Sequence, residues 1–79
     1  PDVRSWLYDK KWQAVSGLVL TCLGIAEADE LSGEIRREFL NEAAKHLDRG
    51  RELMGYSKKY NQEYLDLQNR IRLLTGQFE

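Results

Sequence analysis

The sequence predicts an all-α domain: a three-helix bundle with a long, largely buried first helix, completed by an αα-hairpin. Three observations predict it. Apolar residues recur at alternating spacings of three and four along most of the chain, which is the helical period. Proline occurs once and β-branched residues are scarce, which argues against an all-β fold and its many turns. A chain of 79 residues, 42% hydrophobic and 32% charged, has room for one domain (residues 1–79) with one modest core.

The first helix is expected over residues 5–28, with Ser5 or Asp2 as its N-cap. Trp12, Val15, Val19, Cys22 and Ala26 make one continuous stripe, which Leu18 and Ile25 widen. A polar loop from Glu27 to Gly33 ends it, with Asp29 or Ser32 as the next cap. The second helix is expected over residues 34–54. Its buried edge is Ile35, Phe39, Ala43, Leu47 and Met54, with Leu40 and Leu53 beside it. Like charges stand four apart at Glu34–Glu38, Glu38–Glu42 and Lys45–Arg49, so charge on this helix serves solvation more than pairing. Gly50 inside it costs about 1 kcal/mol relative to alanine.

The third helix, expected over residues 57–76, carries the most regular pattern. Tyr60, Tyr64, Leu67, Ile71, Leu74 and Phe78 alternate spacings of four and three, as in a coiled-coil seam. Gly55 as a left-handed C-cap and Ser57 as a new N-cap predict a hairpin between the second and third helices. One long continuous helix is the alternative, but its seam would run through Ser57, Gly50 and His46.

The first helix has an unusual distribution of side chains. From Ala14 to Ala26 it carries no charge on any face, and Ala14, Gly17, Thr21, Gly24 and Ala28 form a second stripe of small residues. Such a stripe lets another helix approach closely. A helix apolar all round must be covered all round, and two companion helices cover only part of it. Ala14, Gly17, Leu20, Thr21, Leu23 and Gly24 are therefore the expected partner or self-association surface, and the domain is expected to be a homodimer.

A second candidate surface gathers aromatic and basic residues. Trp6, Tyr8 and Trp12 open the first helix, while Tyr56, Tyr60 and Tyr64 open the third. An up-down-up bundle brings the two groups to one end, near Arg4, Lys10, Lys11, Lys58 and Lys59. Trp12, Tyr60 and Tyr64 belong to the core by their periodicity. Trp6, Tyr8, Tyr56, Lys58 and Lys59 remain as a possible peptide- or ligand-binding surface.

Composition narrows the function classes. Twelve basic and thirteen acidic side chains give a formal charge of -1, against the usual basic character of a nucleic-acid binder. The basic residues of the second and third helices are diluted by Glu38, Glu42, Glu52, Glu63 and Asp66, so a recognition helix is not apparent, and a small nucleic-acid-binding regulator is an alternative rather than the main expectation. One cysteine, Cys22, offers no internal disulfide and suits a reducing compartment. The uncharged run from Trp12 to Ala26 is too short for a membrane span. Charges at Asp2, Arg4, Asp9, Lys10 and Lys11 are unlike a secretory signal, so a cytoplasmic location is expected.

Catalytic sets are not legible. With one histidine and one cysteine there is no zinc constellation, and the glycines are scattered singly rather than grouped in a phosphate loop. No cofactor is expected. The stretch Ala44-Lys45-His46-Leu47-Asp48-Arg49-Gly50 resembles histidine phosphotransfer domains, in which a helix presents a phosphorylatable histidine. A basic residue follows three positions on and a small one four on. The resemblance covers those residues alone and would assign the phosphoryl group to His46. Asp48 departs from it, standing where such domains carry leucine, and its charge repels a phosphoryl group. The expected function is a non-catalytic protein–protein interaction module: a small adaptor, regulator or inhibitor working through an apolar helix surface.

Overall fold

A computed structural model describes residues 3–54 and 58–78, with the side chains of Ser5 and Met54 left undescribed. These residues form three helices and no strand: α1 (Val3–Ala26), α2 (Gly33–Met54) and α3 (Asn61–Gln77). The helices run up, down and up. The side chain of Arg36, early in α2, donates to the carbonyl of Ala26 at the end of α1. Arg37 donates to the carbonyl of Phe78, while Arg51 lies over the ring of Tyr64, so α3 is antiparallel to α2.

Local signals explain most of the boundaries. Ser32 Oγ accepts from the backbone N–H of Ile35 at 3.3 Å and caps α2, one of the two caps expected. α1 stops at Ala26, short of residue 28, because the chain tightens into a turn in which Ala28 N–H donates to the Ile25 carbonyl. α3 begins at Asn61 rather than residue 57, following a turn closed by Asn61 N–H to the Lys58 carbonyl. α2 and α3 are separate elements; the expected capping residues Gly55 and Ser57 lie outside the described residues, as does Asp2.

The core holds Trp12, Val19, Cys22, Leu23 and Ala26 from α1, Leu40, Ala43 and Leu47 from α2, and Tyr64, Leu67 and Leu74 from α3. Val15, Phe39, Tyr60, Ile71 and Phe78 pack against it. Three expectations are corrected. Leu18 does not widen the buried stripe but is 50% exposed, and Leu53 is exposed as well. Ile35 is 41% exposed, because the inward edge of α2 runs through Arg36, Leu40, Ala43, Leu47 and Gly50 instead. Arg36 can hold the first place on that edge because its guanidinium meets a free carbonyl at the C-terminal end of α1 and reaches Asp29 at 3.5 Å.

Gly50 accounts for how closely α1 and α2 approach. A Cβ added there would stand 2.5 Å from Val15 Cγ1 and 3.3 Å from Val15 Cβ. The glycine is therefore a packing requirement rather than a tolerated defect. The surface charges also pair more than four-residue spacing suggests: Lys45 meets Glu42 three residues earlier at 3.5 Å.

The molecule is a short rod, 46 × 17 × 15 Å, with a radius of gyration of 13.6 Å. A roughly spherical chain of this length would have about 12 Å. Its large surface relative to its volume leaves apolar side chains of α1 uncovered.

Candidate functional site

The outward side of α1 follows from the position of its core stripe. With Trp12, Val19, Leu23 and Ala26 turned inward, helical geometry turns Ala14, Gly17, Thr21 and Gly24 outward, and all four are exposed. Added Cβ atoms at Gly17 and Gly24 would meet nothing within 4 Å. Leu20, 47% exposed, and Leu18 flank this strip on its two sides. The Thr21 hydroxyl donates to the Gly17 carbonyl at 2.9 Å, and Ser16 likewise donates to the Gln13 carbonyl. These bonds satisfy the hydroxyls within the helix, so the surface they belong to demands little from water.

Leu23 is a correction. It was expected on the association surface, but it is 0% exposed and sits in the core. A helix apolar all round gives no pattern from which to tell its inward leucine from its outward one, and here Leu23 turns into the core while Leu20 does not.

The aromatic end forms as the up-down-up topology requires. Trp12 and Tyr60 stack with ring centroids 5.6 Å apart and planes at 21°. The buried indole N–H of Trp12 donates to Glu63. Beside them, the Tyr60 hydroxyl and Lys59 Nζ both donate to the Asp9 carboxylate, Lys59 at 3.0 Å. Sequence periodicity marked the rings but not these acids, since Asp9 and Glu63 read as solvated charges until the fold brings them to Tyr60 and Trp12. Lys59, expected as part of a ligand surface, is thus engaged within the chain. Trp6 (57% exposed) and Tyr8 face outward, with Lys10 over the Trp6 ring and Lys11 over that of Tyr8. Lys58 is exposed, and Tyr56 lies outside the described residues.

The Asp9 cluster sets a pH window. Hydrogen bonds from Tyr60 and then Lys59 hold the Asp9 carboxyl below its ordinary 3.8. The bond to Asp9 in turn raises Lys59 above 10.5 and Tyr60 above 10.0. A lowered carboxyl pKa contributes stability that is present above pH 3.8 and lost as pH falls through the folded value. The raised Tyr60 and Lys59 pKa values contribute stability that is present below pH 10.0 and 10.5, respectively, and lost as pH rises through the folded values. Thermal melts from pH 2 to 12 are therefore expected to show a plateau between roughly 4 and 10. Asp9→Asn should make the acid limb shallower; an unchanged limb would show that the cluster contributes nothing to the fold.

His46 sits on α2 with Nε2 3.9 Å from Glu42 Oε2. It borders an open depression of about 460 Å³ lined by Glu42, Lys45, His46, Asp48, Arg49 and Glu52. Gly50 does not open access to this histidine, as the phosphotransfer resemblance implied, because it is buried against Val15 of α1. Asp48 and two glutamates make the surroundings of His46 unfavourable for a phosphoryl group. Cys22 is buried in the core, and desolvation pushes its thiol pKa up, with Glu42 adding to the effect. Among the described residues no group of three or more His, Cys, Asp or Glu side chains is placed to hold a metal ion, and no helix is long and apolar enough to cross a membrane. No family model, curated protein or solved structure compared with the chain matches it.

Proposed function

We propose that this chain is a non-catalytic protein–protein interaction module of the cytoplasm, a small adaptor, regulator or inhibitor that acts as a homodimer. The outward side of α1 is the surface through which it associates. One observation carries the reading: from Ala14 to Ala26 α1 has no charged residue, and the half of it turned away from the core is open to solvent. An uncharged helical strip with Leu18 and Leu20 at its edges is costly to leave in water, and among the described residues none covers it. The aromatic end, with Trp6 and Tyr8 outward, remains available for a different protein.

Sedimentation equilibrium on Leu20→Glu tests this reading, with Leu73→Glu as control because Leu73 is an exposed leucine of α3 rather than α1. Leu20→Glu is expected to be a folded monomer with unchanged helix content, and Leu73→Glu a dimer. Equal masses for the two variants would remove α1 as the interface.

A further inference from the structure

Resting on the α1 dimer proposed above, we infer that the second copy lies antiparallel, with the N-terminal tip of each α1 over the acidic α1–α2 loop of the other. The tip is a distinct feature of the rod. Gly50 lies against Val15, and α2 ends at Met54, one turn further on. From Val15 back to Val3, α1 continues for about 18 Å. Its first turns therefore outrun α2 by roughly 12 Å, and they carry Val3, Trp6, Leu7 and Tyr8 as exposed apolar side chains. Lys10 and Lys11 stand at the base of this tip. At the other end of α1 the loop carries Asp29 and Glu30, both exposed, with Glu34 just beyond. Asp29 reaches Arg36 yet keeps 95% of its side chain in solvent.

These charges select the orientation. Parallel copies would set Lys10 and Lys11 of one against the same lysines of the other, and acidic loop against acidic loop. Antiparallel copies set each basic tip against an acidic loop, at both ends at once, as a two-fold interface requires. The spacing along the helix fits this pairing. The outward line Lys10, Ala14, Gly17, Thr21, Gly24, Ala28 has the same intervals read from either end. Antiparallel pairing then sets Gly17 against Thr21, Ala14 against Gly24, and Lys10 against the start of the loop. Leu18 and Leu20 fall beside the two-fold axis, each near its own counterpart. The acids on the flank of α1 do not oppose this, because Asp9 is bound by Lys59 and Glu27 by Arg70 within each copy.

Area supports the inclusion of the tips. Without the tip, the strip from Lys10 to Ala26 is about 24 Å long and about 10 Å wide, small beside the ≈ 800 Å² per partner of a stable interface. Docking Val3, Trp6 and Leu7 on the partner's loop, beside exposed Ile35, extends it at both ends.

Two charge-reversed variants of the full chain test the orientation by sedimentation equilibrium: Lys10→Glu/Lys11→Glu and Asp29→Lys/Glu30→Lys. All four positions are exposed, so both variants are expected to keep the native helix content. Each alone should dimerise on the order of tenfold more weakly or worse than the native chain. Their equimolar mixture should recover at least native affinity, since both tip-to-loop contacts are then attractive. If each variant alone dimerises as tightly as the native chain, or more tightly, the dimer stands but the antiparallel arrangement is wrong. A native chain that is monomeric removes the dimer itself, and the orientation with it.

Discussion

Leu23→Ala is expected to destabilise the fold by about 3–5 kcal/mol, while Leu73→Ala is expected to stay within about 0.5 kcal/mol. Leu23 has no exposed surface, so truncating it removes buried methyl groups and leaves a cavity in the core. Leu73 is mostly in solvent and leaves nothing behind. A loss of this size is a large share of the stability of so small a domain. It corresponds to a drop in melting temperature of roughly 12 °C or more. Thermal melts followed by circular dichroism, at one fixed chain concentration, read the difference directly. Similar melting temperatures for the two variants would mean that α1 is rotated about its axis relative to the packing described, with Leu23 outside.

Gly50→Ala should also destabilise, by about 1–3 kcal/mol, although alanine is the better helix former by about 1 kcal/mol. The sign is decided by Val15. Its Cγ1 occupies the place of the new methyl group, and a β-branched side chain in a helix has one strongly preferred rotamer, so it cannot swing away cheaply. The axes of α1 and α2 would have to separate, which loosens contacts along the longest packed pair in the bundle. Val15→Ala removes the clashing methyl groups, so the double variant should be more stable than the sum of the two single effects implies, by at least about 0.5 kcal/mol. If Gly50→Ala raises the melting temperature instead, the two helices are further apart at this point than described.

How far the sequence could be read depended on how each element buries its surface. α3 was legible because its seam is strictly periodic and its other faces are mostly polar, Leu65 and Leu73 excepted: Tyr64, Leu67 and Leu74 are buried, and Ile71 and Phe78 are partly so. α2 was legible as a helix, but its rotation was not. Its true inward edge includes Arg36 and Gly50, and neither residue type signals burial: one is charged and bonds a helix-end carbonyl, the other is small so that Val15 can approach. α1 was legible in length and in most of its stripe, yet its second half is apolar on every side. Periodicity therefore could not separate buried Leu23 from exposed Leu18 and Leu20. At the aromatic end the topology was legible, and Trp12 and Tyr60 do meet. Each ring bonds an acid from the other helix, Trp12 to Glu63 and Tyr60 to Asp9, partners far apart in sequence that only the fold brings together.

The open side of α1 is the claim on which the functional reading turns, and the molar mass of the native chain in solution tests it most directly. One chain weighs 9.2 kDa. Light scattering on a sizing column is expected to give twice that mass at micromolar concentration, with dissociation on dilution. A mass of 9.2 kDa that does not change with concentration, at every salt level tried, would contradict the self-association and leave α1 an exposed helix without a second copy.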